Sequence, residues 1–248
     1  ARRYALRLIS ENVTTEEQVQ HVIDAQFAAL DKAQMESKTN PVYPVPPPGQ
    51  ANWAGFTSKY SFDTPPTNIS RERFAQICRG LGTAPESFRV HSKLKSLLAS
   101  RAALADAADD AMVLSHADSE LIAFGSLLLD GTHVRLSGQD SRRGTFTQRH
   151  AVLRDEETGE KLTPLNMLDP GNQASMSVYD SPLSEYAVLG FDYGYSRGRP
   201  RALTLWEAQF GDFVNGAQII LDQFVASSEV KWDRWAGIVL LLPHGYEG

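Results

Sequence analysis

The stretch that decides the fold is residues 176–206, with the sequence MSVYDSPLSEYAVLGFDYGYSRGRPRALTLW. Residues 176–179 and residues 202–206 are short apolar runs with the length of buried strands. Between them, residues 183–195 carry apolar side chains at helical spacing. A strand, a helix and a strand in this order predict a parallel pair joined by a right-handed crossover.

The same alternation continues on both sides of this stretch. We expect a helix at residues 120–129 and a strand at 132–136 before it, and a helix at 213–225 and a strand at 237–242 after it. This pattern is typical of an α/β fold with a parallel sheet. Ligands bind beyond the carboxyl ends of such strands. The candidate segments there are residues 138–140, 184–185 and 207–210.

The first 114 residues have a different character and predict a mainly helical segment interrupted by prolines. Thr14 and Glu17 match a capping box, which predicts a helix that fades near Ala33. The proline-rich run at residues 41–49 lacks amide donors, which favours an extended linker.

Two shorter helices are predicted beyond the proline run. Ser70 is a suitable N-cap for the first, which carries Phe74, Ile77 and Leu81 on one face. The second covers residues 92–110. A helix with one apolar stripe buries that stripe, and we expect both stripes to pack against another domain.

The composition excludes several classes of function. The net charge of −6 gives no general attraction to nucleic acid or to an anionic membrane. The sequence has no apolar run that approaches the roughly 20 residues of a spanning helix. The single cysteine, Cys78, cannot form an intrachain disulfide, which fits a reducing compartment. The sequence also lacks the glycine-rich phosphate motifs and the Cys/His spacing of a zinc site, so we expect no metal site in this chain.

Glu185 is the residue with the strongest indication of chemistry. It follows a predicted strand and opens a predicted helix, where a carboxylate that only stabilises the helix N-terminus is the simpler explanation. Gly190 and Gly194 lie further along that helix, although a helical glycine costs about 1 kcal/mol relative to alanine. Such glycines suit a helix that another chain or a ligand approaches closely. A carboxyl group in this setting would be desolvated, and its pKa would rise.

Four runs of the sequence are long and specific. They are GTHVRLSGQDSRRGTF at 131–146, SPLSEYAVLGF at 181–191, LWEAQFGDF at 205–213 and LLPHGYEG at 241–248. Together they resemble the first, thiamine-diphosphate-dependent component of 2-oxoglutarate dehydrogenase. The resemblance implies a transketolase-like pyrimidine-binding domain at residues 115–248, truncated at its C-terminus. It also implies that residues 1–114 are the linker segment that follows the family's diphosphate-binding domain, so we expect an internal fragment.

The resemblance implies roles for the residues that follow the strands. In the superfamily a glutamate at the position of Glu185 hydrogen-bonds a ring nitrogen of the cofactor's aminopyrimidine. Phe210 matches the aromatic residue that packs on this ring, although an ordinary core aromatic is the simpler explanation. Gln139 matches a residue of the cofactor pocket. The residues expected to contact substrate or to support these groups are Asp140, Arg143, His150 and Glu207.

Simpler explanations of that last set stay open. A salt-bridged surface loop would equally account for Asp140, Arg143 and His150, and Glu207 could pair across a subunit interface. The sequence also departs from the family at Gln148, where a histidine is usual. His244 is not assigned as the family's catalytic histidine, which lies further along the family's sequence.

For the whole protein, the resemblance implies thiamine-diphosphate-dependent oxidative decarboxylation of 2-oxoglutarate, with succinyl transfer to a lipoyl group in the tricarboxylic acid cycle. Magnesium would be held by the missing diphosphate-binding domain. The enzyme would be a homodimer with a shared site, so the fragment alone would be inactive. Its partners would be a lipoyl-bearing succinyltransferase and dihydrolipoamide dehydrogenase. The alternatives are a paralogue acting on 2-oxoadipate and a non-catalytic scaffold, and the expected compartment is the bacterial cytoplasm or the mitochondrial matrix.

Overall fold

The computed structural model describes residues 1–40, 50–57, 59–108 and 112–245. The proline-rich run at residues 41–49, predicted to be an extended linker, lies outside the described residues. The chain divides into two compact units, Ala1–Gln50 and Ala51–Gly248. Within the described ranges, none of the helices combines the length and the apolar character that a membrane crossing demands.

The first unit contains two helices, α1 (Arg2–Ser10) and α2 (Glu16–Thr39). A capping box starts α2, because the Thr15 side chain accepts a hydrogen bond from the Gln18 amide and the Gln18 side chain accepts one from the Thr15 amide. Neither helix contains a buried residue. The apolar stripe of α2 therefore faces solvent in this chain.

The predicted boundaries of α2 are wrong at both ends. The box begins at Thr15 and not at Thr14, because two overlapping threonine patterns fit the motif and spacing alone does not rank them. The helix also continues past Ala33, where Gln34, Met35 and Glu36 are all good helix formers.

The second unit is built on a parallel sheet. The strands in the described residues are β1 (Val134–Gly138), β2 (Leu153–Arg154), β3 (Lys161–Leu162), β4 (Met176–Asp180), β5 (Leu203–Glu207) and β6 (Ile238–Leu241). Four of them form a parallel sheet in the order β4-β1-β5-β6, while β2 and β3 form a separate antiparallel pair. The predicted α/β fold with a parallel sheet is thereby confirmed.

Helices cover both faces of this sheet. The α-helices described in this unit are α3 (Arg71–Leu81), α4 (Ser92–Ala103), α5 (His116–Leu129), α6 (Glu185–Gly198), α7 (Gln218–Ile220) and α8 (Ser228–Trp232). Successive side chains of a strand point to opposite faces. Accordingly, Leu205 joins the core formed with α3 and α5, whereas the next residue, Trp206, packs against Val188 and Leu189 of α6.

The apolar stripe of α3 is buried inside this unit. The expectation that it packs against another domain is therefore wrong. Ser70 caps the helix as predicted, by accepting a hydrogen bond from the Arg73 amide. Ile77 packs closely on α5, where a Cβ atom added to Gly125 would lie 2.6 Å from Ile77 Cγ2. Periodicity identifies the face that is buried but not the element that covers it.

The crossover after β5 is not the single helix predicted at residues 213–225. It consists of a 3-10 helix at Gly211–Ala217, then α7, then a π-helix at Leu221–Val225. Gly211 approaches another backbone segment, since a Cβ atom there would lie 2.9 Å from the Leu242 carbonyl oxygen. This irregular crossover runs beside the start of α6.

Candidate active site

The carboxyl ends of β1, β4 and β5 lie side by side at one edge of the sheet. In the register of the sheet, Gly138 stands opposite both Asp180 and Glu207. A side chain at Gly138 would clash with the Glu207 carbonyl oxygen, so a glycine lets the strands end this closely. The loops that leave these strands carry the side chains singled out from the sequence.

Glu185 is the first residue of α6, and Ser184 is its N-cap. Its carboxyl group is partly buried, and Oε1 accepts a hydrogen bond from the Gln209 backbone amide at 3.4 Å. Burial raises the pKa of the Glu185 carboxyl, and the Gln209 amide opposes part of that rise. The carboxyl therefore keeps its proton to higher pH than an exposed glutamate, which suits a group that shares a proton with a ligand.

Gln209 connects the loop after β5 with the loop after β1. Its side-chain Nε2 donates to Asp140 Oδ2 at 2.7 Å, and Arg143 Nη2 lies 3.5 Å from the same oxygen. Glu185, Gln209, Asp140 and Arg143 thus form one chain of polar contacts. Sequence reasoning gave Gln209 no role, because its contact with Asp140 spans 69 positions and no spacing pattern signals it.

Phe210 lies at the centre of a small aromatic cluster next to this polar chain. Its ring meets those of Phe146 and Phe213 edge to face, with centroids 5.8 and 5.6 Å apart. Phe146 and Phe213 are each 45% exposed. The cluster therefore offers apolar ring surface to a planar ligand beside Glu185 and Gln209.

Arg149 is buried with all five of its N–H donors engaged. The partners are Glu120 (Nε 2.6 Å, Nη2 3.2 Å), the Ser141 carbonyl (Nη1 3.0 Å) and both carboxylate oxygens of Glu207 (Nη1 2.9 Å to Oε1, Nη2 to Oε2). Burial lowers the pKa of Arg149, but hydrogen bonds to Glu207 and Glu120 outweigh this and raise it above its ordinary value. Glu207 thus pairs within its own chain.

The loop that carries Arg149 has a strained backbone. Thr147 and His150 have φ values of 60° and 44°, in the left-handed region that side chains other than glycine rarely adopt. The His150 amide donates to the Arg143 carbonyl at 3.0 Å. Burial lowers the pKa of His150, and the charges of Arg101 and Arg143 lower it further. The imidazole of His150 is therefore harder to protonate than that of an exposed histidine.

Three further residues discussed in the sequence analysis, Gln139, Gln148 and His244, lie outside this chain of polar contacts. Gln139 follows β1 directly and is exposed. The Gln148 side chain accepts a hydrogen bond from the Phe146 amide at 2.9 Å and so closes the loop. His244 Nε2 lies 3.6 Å from Asp212 Oδ1, beyond β6.

Comparison with known proteins identifies the family to which this chain is similar. Residues 114–248 match the family described as the transketolase pyrimidine-binding domain. The chain is 43% identical to a mitochondrial 2-oxoglutarate dehydrogenase of Dictyostelium discoideum, over 99% of this chain and 24% of that protein. It is 49% identical to that of Schizosaccharomyces pombe, over 79% and 20%. The 2-oxoglutarate dehydrogenase E1 component of Haemophilus influenzae is 41% identical, over 99% and 26%.

The chain spans between a fifth and about a quarter of the length of these relatives. The family match covers all four strands of the parallel sheet. The chain therefore belongs to the transketolase pyrimidine-binding domain family.

Proposed function

We propose that this chain supplies the pyrimidine-binding side of a thiamine diphosphate site in an enzyme that oxidatively decarboxylates 2-oxoglutarate. The observation that carries the proposal is the partly buried Glu185 carboxyl, whose pKa is raised, beside exposed aromatic rings at the carboxyl edge of the sheet. The names of the similar proteins, which are 2-oxoglutarate dehydrogenases, support 2-oxoglutarate as the substrate. Residues 115–248 would form the cofactor-binding domain and residues 1–114 the segment before it.

The residues present fit the aminopyrimidine ring of the cofactor. Such a ring needs an apolar surface for its face and an acid that shares a proton with a ring nitrogen. Phe210 offers the surface, and Glu185 would hold the proton at its carboxyl oxygen because burial raises its pKa. Gln139, exposed at the end of β1, could both donate and accept with its amide. When bound, the cofactor supplies the electron sink that decarboxylation requires.

The remaining parts of the site would lie in a longer polypeptide. The described residues contain no group of three or more His, Cys, Asp or Glu side chains placed to hold a metal ion. We assign magnesium and the diphosphate to a domain outside this chain, as the resemblance to the family implies. This division agrees with the chain's share of its relatives, which is about a quarter of their length.

The outer face of α6 supports a homodimer. Tyr186 and Phe191 of α6 are 53% and 63% exposed, and Leu183, which lies just before the helix, is 55% exposed. A Cβ atom added to Gly194 would meet no atom within 4 Å, so this glycine is not required by packing within the chain. A second subunit that approaches the helix closely would explain both features.

The proposed partners follow from the proposed reaction. A lipoyl-bearing succinyltransferase would take up the succinyl group, and dihydrolipoamide dehydrogenase would reoxidise the lipoyl group. The similar proteins include both mitochondrial and bacterial forms. We place this protein in a bacterial cytoplasm, with the mitochondrial matrix as the other compartment.

The test follows 2-oxoglutarate-dependent reduction of an artificial electron acceptor by the full-length polypeptide that carries this chain. We expect activity that depends on thiamine diphosphate and magnesium. We expect Glu185→Gln to lower it by at least about 100-fold, the lower range for removal of a general acid or base. Glu229→Gln, an exposed carboxylate on α8, serves as the matched control and should retain activity.

Each other outcome is informative. Activity that survives Glu185→Gln contradicts the role of this residue. Activity with 2-oxoadipate and none with 2-oxoglutarate assigns the protein to the paralogue. Inactivity with both substrates in the presence of cofactor identifies a binding or scaffold protein.

A further inference from the structure

Arg143 has a fixed backbone and a largely unengaged guanidinium. Its carbonyl oxygen accepts hydrogen bonds from the amides of Arg149 and His150 at 2.9 and 3.0 Å. Its side chain is 50% exposed, and the contact described for it is the 3.5 Å approach of Nη2 to Asp140 Oδ2. The loop therefore presents a cation at a defined place, with most of its donors free for another partner.

The neighbouring arginine side chains of this loop already make hydrogen bonds and ion pairs within the chain. Arg142 donates to the Val178 carbonyl at 3.2 Å and lies 3.4 Å from Asp180. All five donors of Arg149 are engaged by carboxylates and a carbonyl, and the pKa of His150 is lowered. Among the described basic residues of the loop, Arg143 is thus the one suited to bind an anion.

Arg143 is also connected to Glu185. Asp140 contacts Arg143 on one side and accepts from the Gln209 side chain on the other, and the Gln209 amide donates to Glu185. This chain of contacts aligns Arg143 along the same edge of the sheet as the proposed catalytic carboxyl. An anion bound by Arg143 would lie in the neighbourhood of the reaction.

We propose, on the basis of the proposed function, that Arg143 recognises the distal carboxylate of the substrate. A dicarboxylic 2-oxo acid loses the carboxylate next to its oxo group, and the distal one distinguishes it from monocarboxylic 2-oxo acids. The planar guanidinium can bind a carboxylate through two parallel hydrogen bonds. Asp140 lies beside Arg143 and repels a singly charged carboxylate less than a doubly charged phosphate, so a carboxylate is the better ligand.

The experiment compares 2-oxoglutarate with 2-oxopentanoate, which has the same carbon chain but no distal carboxylate. In the full-length enzyme, we expect Arg143→Gln to lower kcat/KM for 2-oxoglutarate by about 10- to 100-fold, the effect of a lost hydrogen bond to a charged group. We expect less than about a 3-fold change with 2-oxopentanoate, which makes no such bond. Arg143→Lys should restore part of the loss, because it keeps the charge without the planar fork.

Binding gives a second readout that is independent of turnover. Calorimetry on the cofactor-loaded enzyme should show that Arg143→Gln lowers the affinity for glutarate by a similar factor. The affinity for pentanoate should not change. Arg154→Gln removes the same charge from an exposed position of β2 and should behave like the wild type in both assays.

Two results would overturn the proposal. Equal losses with both substrates would show that Arg143 supports the loop or the cofactor, and unchanged values would show that it has no part in recognition. A wild-type enzyme that does not decarboxylate 2-oxoglutarate overturns the proposed function itself. That failure is visible before any variant is compared.

Discussion

At the scale of single residues, the surroundings of Glu185 differ from those of Asp155, another carboxylate of the same unit. The backbone amides of Thr158 and Arg89 donate to Asp155 and hold its pKa at about 2. Glu185 has one long amide hydrogen bond and is partly withdrawn from water, so its pKa rises. Two carboxyl groups in one fold are thus tuned in opposite directions, and only the raised one suits proton sharing at neutral pH.

This difference predicts a pH-dependent effect of Glu185→Gln on stability. The folded-state pKa of Glu185 lies above the unfolded value of about 4.3, so the ionised carboxylate weakens the folded state at higher pH. Below the unfolded pKa both states are protonated, and the residue contributes no difference. Glutamine imitates the protonated form and does not titrate. We therefore expect the variant to be more stable than the wild type at about pH 8 and equal to it at about pH 3.

Urea unfolding of the chain across this pH range measures the effect. The gain should grow as the pH rises from the unfolded pKa through the folded one. Glu229→Gln, which replaces an exposed carboxylate on α8, provides the comparison. A difference between Glu185→Gln and the wild type that stays constant with pH would contradict the assigned direction of the pKa shift.

The residue scale also shows how far sequence reasoning reaches into the site. Glu185 was singled out because it stands in a segment directly after a strand, where ligands of parallel sheets bind. Phe210 was assigned through the resemblance to the family, and both roles remain predictions. The link from Gln209 to Asp140 could not be found, because it joins two loops that are distant in sequence. A side-chain contact of this kind depends on tertiary packing and leaves no periodic pattern.

At the scale of elements, the Arg149 cluster joins three parts of the fold that are distant in sequence. Its guanidinium ties the loop after β1 to Glu120 of α5 and to Glu207 at the end of β5. Arg101 of α4 adds a hydrogen bond to the Arg149 carbonyl at 2.8 Å. The strained loop therefore keeps its shape because buried charges hold it from several sides.

Removal of this guanidinium should be strongly destabilising. Arg149→Met leaves two carboxylates, on Glu120 and Glu207, without their partner, and we expect a loss of about 3–5 kcal/mol in the free energy of unfolding. Arg79→Met removes a cation from the exposed ion pair with Asp106 and should change the free energy of unfolding by less than about 1 kcal/mol. Urea denaturation of both variants gives the comparison. Equal effects would show that the buried cluster contributes no more than a surface ion pair.

The elements themselves were predicted unevenly. The four strands of the parallel sheet were found within two residues at each end, since short apolar runs between turn residues are distinctive. The prediction of a single helix at residues 213–225 was wrong, because Gly216 weakens a regular helix there and Gly211 must approach the Leu242 backbone. The expected packing of α3 against another domain was also wrong, because an amphipathic pattern does not identify the surface that covers it.

At the scale of the whole molecule, the site and the proposed subunit contact share one helix. Glu185 opens α6, and the exposed Tyr186 and Phe191 lie on the outer face of the same helix. Its inner face, with Val188 and Leu189, is buried against the sheet. A partner that packs on the outer face would fix both the position of α6 and that of its first residue. Self-association and cofactor binding should therefore be coupled.

The coupling gives a prediction for the full-length polypeptide. We expect Phe191→Glu to weaken self-association by at least about 10-fold, because it places a charge in a desolvated apolar contact. Sedimentation velocity over a concentration series measures this. Val230→Glu is the matched control, since Val230 is 91% exposed and lies on a different helix, α8.

The same variant should lose affinity for thiamine diphosphate, although Phe191 itself is not assigned to the cofactor. Calorimetric titration at a protein concentration where the wild type is dimeric and the variant is monomeric tests this. A variant that is monomeric but binds the cofactor normally would show that one subunit holds it unaided. If Val230→Glu dissociates the dimer and Phe191→Glu does not, the contact lies on the α8 surface, and the exposed stripe of α6 must have another partner.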